Sequence, residues 1–200
     1  MRVTNNSWGS LLRRTVAMTI AAATFAIVAV FPLGSDAFAT TKPSVGALSK
    51  VVMPTPKGLI SDRTSLSGGP TGRIGFDEAT SSDCNVSSSL HSDWLASQLR
   101  YFVSSIQSPQ KYLLVCVTLM KTGSSARTDV QKFADNPYLT AKPFAPIPGA
   151  RVQQTGPATL IAFAVGQYFV FVAGLDLATT GAASVHFVDT SAIAQFHLAK

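Results

Sequence analysis

The sequence predicts an α+β fold, in which an antiparallel sheet built from two hairpins carries helices packed on one face. Two apolar, β-rich runs flank the dipeptide Gly166-Gln167, and a two-residue connection that contains glycine is typical of a tight hairpin turn. A second pair of apolar runs surrounds the turn-like segment 107–110. Helix-forming segments follow both pairs, and strand pairs that alternate with helices favour an antiparallel sheet.

The first 39 residues have the three parts of a secretory signal peptide. The start is basic, Thr15 to Phe31 is an uncharged apolar run of 17 residues, and Ala37-Phe38-Ala39 provides small residues at positions −3 and −1. Cleavage would fall between Ala39 and Thr40. The alternative is an uncleaved signal-anchor, because about 17 to 25 apolar residues can cross a bilayer as a helix. In both cases we expect residues from 40 onward to lie outside the cytoplasm, secreted or associated with the cell envelope.

The composition of the remaining chain argues against nucleic acid as a partner. Removal of residues 1–39 leaves 161 residues, the size of one domain. The net charge falls from +6 to +4, because the removed part holds three arginines and one aspartate. The remaining basic residues are scattered, whereas a nucleic-acid-binding protein clusters them on one face or along a helix. The membrane would be contacted only through an uncleaved N-terminal segment.

Two cysteines, Cys84 and Cys116, lie in the exported part of the chain. An even pair in an oxidising compartment predicts a disulfide. The alternative is a reactive thiol. Cys116 lies inside the apolar run Tyr112 to Val117, where a thiol would be buried and inert, so the disulfide is favoured.

The elements before the first hairpin are short. Residues 40–57 contain three prolines and indicate a spacer, so residues 58–200 are expected to form a single exported α+β domain. Leu59 to Gly75 is rich in glycine but matches no phosphate-binding motif, which indicates a surface turn. Phe76 opens a short helix with acidic residues in its first turn.

The segment 94–103 fits two interpretations. Its apolar residues form a helical stripe, yet several also lie on one face of a strand. Because 107–110 is turn-like and Lys111 to Lys121 is a β-rich apolar run, a hairpin is the simpler unit and a strand is favoured. Residues 123–125 then supply the N-cap of a helix that runs through Ala134.

The second hairpin is the clearest element of the sequence. Three prolines between Pro143 and Gly149 indicate a loop, and the runs 158–165 and 168–175 follow it. Their near-continuous hydrophobicity means that both faces of these strands are covered, with helices on one side. A helix within Thr190 to Leu198 would provide part of that cover.

A series of short motifs spans about residues 50–175: a Met-Pro entry, a Gly-Pro segment, an aromatic hairpin, a small-residue helix start, a Pro-Gly-Ala loop and a strand with Gly-x-Tyr. They are Met53-Pro54, Gly69-Pro70, Leu99-Arg100-Tyr101, Ser125-Ala126, Pro148-Gly149-Ala150 and Gly166-Gln167-Tyr168. Together they resemble the uncharacterised secreted and lipid-anchored envelope proteins of mycobacteria and related actinobacteria. The resemblance implies an exported envelope protein of α+β type and supplies no catalytic residues. Many of those proteins have a lipobox cysteine, which this chain lacks, so the resemblance does not extend to firm membrane attachment.

The sequence indicates no catalytic, metal or cofactor site. The three residue types of a serine-hydrolase triad are present in Ser89, His91 and Asp93, but residues so close in sequence rarely reach triad geometry. The sequence also contains no Gly-x-Ser-x-Gly motif, which usually holds the nucleophile of such an enzyme. His91 and Asp93 also lack a third ligand at metal-binding spacing. His186 lies between apolar residues, where a partly buried and hydrogen-bonded imidazole is expected.

These observations favour a non-catalytic ligand-binding, sensor-like or interaction domain of the cell envelope. An envelope lipid or small molecule would occupy an apolar pocket between sheet and helices, or an envelope protein would dock on the aromatic residues Trp94, Tyr101 and Phe102. The other interpretation of these aromatics is that they fill the core. The alternative function is a secreted hydrolase with an unrecognised active site, using His91 or His186.

Overall fold

The computed structural model describes residues 43–62, 71–80, 84–105, 110–138, 140–177 and 182–200, with side chains from 185 in the last segment. The predicted signal segment and the cleavage site between Ala39 and Thr40 lie outside these residues. Among the described residues, no helix is both long and apolar enough to cross a bilayer.

An antiparallel sheet organises the described part of the chain, as the sequence predicts. It has eight strands rather than the four of two hairpins, and two of them (60–62 and 72–74) lie in the segment that was expected to be a surface turn. The strands are β1 (Ile60–Asp62), β2 (Gly72–Ile74), β3 (Trp94–Val103), β4 (Lys111–Met120), β5 (Lys142–Pro143), β6 (Arg151–Thr155), β7 (Ala158–Val165) and β8 (Tyr168–Asp176). Their order is β1-β3-β4-β8-β7-β6-β5, and β2 pairs with the same edge of β3 as β1. The α+β class is therefore confirmed.

The two predicted hairpins form the centre of the sheet. β3 pairs with β4 and β7 with β8, so the strand interpretation of 94–103 is confirmed. The hairpins join through β4 and β8, where Cys116 lies opposite Phe171. Gly166 opens the β7–β8 turn at φ +55°, a conformation that glycine adopts without steric cost.

In the described ranges, four α-helices accompany the sheet: α1 (Leu48–Val51), α2 (Phe76–Ala79), α3 (Gly123–Ala134) and α4 (Ala182–Ala199). α3 ends at Ala134 as predicted but begins earlier, because residues 123–125, expected to supply the N-cap, already belong to the helix. Its N-cap is Thr122, whose Oγ1 accepts the Ser125 backbone N–H at 3.0 Å. α4 contains the predicted helix 190–198 and begins earlier.

The helices pack on both faces of the sheet, not on one as expected. Val115 and Val117 of β4 join a core with α1 and α4, whereas Cys116 between them joins a second core with α2 and α3. Successive side chains of a strand point to opposite faces, so a central strand that is apolar throughout needs cover on each side.

Part of the predicted spacer belongs to the fold. Residues 45–51 form two short helical turns, and Leu48, Val52 and Met53 are buried in the core with α4. Arg100 of β3 donates from its guanidinium to the carbonyls of Met53 and Ser49, at 3.0 and 3.1 Å. The prolines of this segment led to the prediction of a spacer. Its few apolar residues nevertheless pack into the core and anchor it to the domain.

Candidate functional site

A cleft of about 460 Å³ lies between α4 and the β5–β6 end of the sheet. We call it the α4–β6 cleft. Its apolar lining is Phe144, Val152 and Val185, and its polar lining is Tyr138, Thr140, Lys142, Gln154 and Asp189. Small-molecule sites are typically concave, about 300–1,000 Å³, and combine apolar walls with a few polar groups.

The sheet wall of the cleft follows from the alternation of β6. Val152 and Gln154 point into the cleft, and Val152 lies opposite Lys142 of β5. Gln153, between them, points to the other face, where its buried Nε2 donates to the Phe133 carbonyl at 2.8 Å. This hydrogen bond ties β6 to the end of α3 and fixes which side chains face the cleft.

Phe144, a buried residue of the cleft lining, starts the proline-rich loop. Its N–H donates to the Ala150 carbonyl at 3.0 Å, and Ile147 exchanges two further backbone hydrogen bonds with these same two residues. The loop predicted from the prolines is therefore closed on itself. It holds the Phe144 ring against the core with 7% of its surface exposed.

Val185 and Asp189 supply the helix wall, one turn apart on α4. The Asp189 Oδ1 atom is buried and has no hydrogen-bond partner among the described residues. Burial raises the pKa of Asp189 above its ordinary value, and the nearby His186 partly offsets that rise. Asp189 therefore lines the cleft, while its Oδ1 atom is enclosed by the protein.

A buried glutamine holds α4 in position. Gln195 is fully buried, and its Oε1 accepts the Met53 N–H while its Nε2 donates to the Val51 carbonyl, both at 2.8 Å. Because an unpaired buried amide is costly, this two-way bond defines both the rotation and the height of α4 on the sheet. These hydrogen bonds therefore hold the helix wall of the cleft in place.

The predicted aromatic surface is not assembled. Tyr101 and Phe102 are 7% and 1% exposed and, as neighbours on β3, point into the two opposite cores. Trp94 lies at the far end of the strand, where its Nε1 donates to Ser97 Oγ at 2.8 Å and its ring packs edge-on against Phe76. Tyr101 and Phe102 also line a small apolar pocket of about 170 Å³. The core interpretation therefore holds for Tyr101 and Phe102.

The predicted disulfide between Cys84 and Cys116 is formed, with 5.4 Å between the Cα atoms. It connects the segment before β3 to the centre of β4. The same segment is held from α3, because Asp129 Oδ1 accepts the Ser87 N–H at 2.8 Å. Asp129 is fully buried, and burial raises its pKa to about 7, against a smaller lowering by the Ser87 hydrogen bond.

The other residues considered for catalysis have structural partners. The His91 ring packs on Phe76, with 4.4 Å between centroids, and Asp93 accepts a hydrogen bond from Ser125 at 2.9 Å. Ser89 is hydrogen-bonded to the Ser87 hydroxyl. His186 is exposed on α4, not partly buried as expected. Within the described ranges, no three His, Cys, Asp or Glu side chains are grouped to hold a metal.

Sequence reasoning expected an apolar pocket between sheet and helices but named none of the residues that line the α4–β6 cleft. One signal for them was present. Asp189 is the single Asp, Glu, Lys or Arg between 182 and 199, in a segment that is otherwise largely apolar. A lone carboxyl in such a helix is either exposed or directed at a partner. The lining residues on the sheet side, such as Thr140 and Gln154, carry no comparable signal.

Comparison with known proteins found no matching family model and no matching curated protein. Among solved structures, the chain is similar to the extracellular domain of PknH from Mycobacterium tuberculosis. The sequence identity is 11%, the TM-score is 0.46, and the match covers 78% of this chain and 97% of that chain.

Proposed function

We propose that this chain is an extracytoplasmic envelope domain that binds a small molecule in the α4–β6 cleft without transforming it. Residues 1–39 direct export, and cleavage between Ala39 and Thr40 releases the domain. The basic start, apolar run and Ala-x-Ala order support export. The Cys84–Cys116 disulfide supports the same compartment, because disulfides persist mainly outside the cytoplasm.

The observation that carries this function is the α4–β6 cleft, a concave space of about 460 Å³ between α4 and the sheet. Its size and its mixture of apolar walls with a few polar side chains are typical of small-molecule sites. The apolar side chains of Phe144, Val152 and Val185 add a surface that a ligand removes from water.

The test is a native mass spectrum of the full chain purified from its own envelope, compared with a variant whose cleft is blocked. Gln154 is exposed and lines the cleft, so Gln154→Trp fills the space without disturbing the core. Gln131→Trp, exposed on α3 and outside the cleft lining, is the matched control. We expect a noncovalent mass on the wild type and on Gln131→Trp that is lost from Gln154→Trp.

Two results overturn the proposal. A bound mass that persists in Gln154→Trp, or no bound mass in any sample, removes the cleft as a ligand site. Turnover of an ester or glycan panel that disappears in His186→Ala replaces binding with hydrolysis. The polypeptide mass checks the export part separately, because a chain that starts at Thr40 and lacks two hydrogens is both cleaved and disulfide-bonded.

A further inference from the structure

We propose that the domain rests on an anionic membrane surface through one face, formed by its N-terminal segment and the second half of α4. We call it the α1–α4 face. Its exposed side chains are Lys50, Lys57, Thr190, Ala194, His197 and Leu198, and Arg100 is half-exposed beside them. The proposal rests on the extracytoplasmic location in the proposed function and makes no use of the α4–β6 cleft.

Hydrogen bonds hold the two parts of this face side by side. The Gln195 side chain of α4 binds the backbone on both sides of Val52, so Lys50 lies close to the end of α4. Lys57 follows in the turn that leads the same segment to β1. The basic side chains and the end of α4 therefore belong to one surface.

Acidic side chains are confined to other parts of the domain. Residues 43–61 and 190–199 contain no aspartate or glutamate, whereas Lys50 and Lys57 are both exposed there. Asp189, the acid of α4, lies earlier in the helix and lines the cleft. Within the described ranges, the exposed acids lie in α2 and at the end of α3, on the other face of the sheet: Asp77, Glu78 and Asp135. A positive face without acids is complementary to anionic lipid headgroups.

The outer side of α4 differs from that of α3, although both helices cover the sheet from outside. From 190 to 199, α4 carries no Asp, Glu, Lys or Arg, and Leu198 is 44% exposed. α3 exposes Arg127, Gln131 and Lys132. A helix that faces water usually carries charged residues on its outer side. An uncharged helix end next to lysines instead matches a surface that lies at a membrane interface.

The binding expected from this face is modest and depends on salt. Each lysine near an anionic surface strengthens binding about fivefold, so Lys50 and Lys57 together should favour anionic over neutral vesicles by about 25-fold. The attraction falls off within a Debye length, about 8 Å at physiological salt, so added salt should weaken it. Leu198 gains further contact where it enters the headgroup region.

Quenching of tryptophan fluorescence by brominated lipid tests which face contacts the bilayer. The protein is the exported form recovered from the envelope, and the vesicles contain brominated phosphatidylglycerol or brominated phosphatidylcholine. Leu198→Trp places a reporter on the α1–α4 face, and Gln131→Trp places one on α3. Wild type supplies the background of the native tryptophans. We expect phosphatidylglycerol to quench Leu198→Trp and to leave Gln131→Trp unquenched, and phosphatidylcholine to quench neither.

Two double substitutions, each made together with Leu198→Trp, test the role of charge. Lys50→Gln/Lys57→Gln should raise the lipid concentration at half-maximal quenching about 25-fold. Arg127→Gln/Lys132→Gln removes the same net charge from α3 and should leave that concentration unchanged. All four side chains are exposed, so both variants should keep the fold. Where residues 1–39 remain attached, the extent of quenching replaces the lipid concentration as the readout.

Several results overturn the proposal. Equal quenching of Leu198→Trp and Gln131→Trp means that no single face contacts the bilayer. An equal loss in the two double variants means that only net charge matters, and equal quenching by both lipids means that charge does not. Leu198→Trp fluorescence that changes with protein concentration and not with lipid assigns the face to a second copy of the chain. None of these results bears on the α4–β6 cleft, which Gln154→Trp tests separately.

Discussion

Replacement of Asp129 by asparagine should remove most of one pH-dependent contribution to the stability of this fold. The Asp129 side chain is fully buried, and its Oδ2 atom has no hydrogen-bond partner in the described part of the chain. Burial raises its pKa from 3.8 to about 7 in the folded state. The folded protein therefore holds this proton to a higher pH than the unfolded chain does. The associated stabilisation is complete below about pH 4 and is lost as the pH rises through about 7.

The size of the effect follows from the shift. A rise from 3.8 to about 7 is roughly three pKa units, and each unit corresponds to about 1.4 kcal/mol. Ionisation of Asp129 therefore lowers the free energy of unfolding by about 4 kcal/mol at alkaline pH. Asparagine keeps an acceptor for the Ser87 N–H, 2.8 Å away in the native protein, and never ionises. We expect the variant to match wild type within about 1 kcal/mol at acidic pH and to exceed it by up to about 4 kcal/mol above pH 8.

Urea unfolding followed by tryptophan fluorescence, from about pH 4 to about pH 9, measures this difference directly. Asp135→Asn is the control, because Asp135 is exposed. The free energy of unfolding of this variant should change with pH in the same way as that of wild type. A wild-type minus Asp129→Asn difference that stays constant with pH would refute the argument, since it would show that Asp129 has the same pKa in both states.

Two further substitutions test the contacts that hold the fold around the sheet. The double variant Cys84→Ala/Cys116→Ala removes a disulfide between positions 32 apart and should lower the free energy of unfolding by about 3–4 kcal/mol relative to oxidised wild type, measured by urea unfolding with reduced wild type as the control. Reduced wild type as stable as the oxidised protein would contradict this. Gln195→Ala leaves the Met53 N–H and the Val51 carbonyl without their partner and should cost about 2–4 kcal/mol in the same assay. A loss below about 0.5 kcal/mol, the level usual for surface substitutions, would mean that water replaces the glutamine.

The parts of the fold that depend on local sequence were predictable. Gly166-Gln167 fixes a turn between two apolar runs, and the Cys84–Cys116 pair needed only an even cysteine count and an oxidising compartment. The side of the sheet on which each helix packs is a tertiary property. The apolar sequence of a strand such as β4 indicates that both faces of the sheet are covered, but it does not indicate which elements cover them. The prediction therefore placed the helices on one face only.

The candidate site depended on contacts between distant parts of the chain. Asp189 and Gln154 meet at the cleft although they lie on different elements, and neither forms a motif. The burial of Tyr101 and Phe102 does not follow from their aromatic character. Adjacent residues of a strand point in opposite directions, and both faces of β3 are covered, so each side chain joins a different core.

The hydrogen bonds of Gln195 and Arg100 also determine how the domain would carry a mechanical load. Met53 and Gln195 are 142 positions apart in sequence, yet a pull applied ahead of residue 45 reaches α4 through this contact and β3 through Arg100. The incoming chain is thus fastened at two points to the interior, one of them on the helix that walls the cleft. A pull on the N-terminal end would therefore act on α4 and β3 together, through side-chain hydrogen bonds between distant parts of the chain.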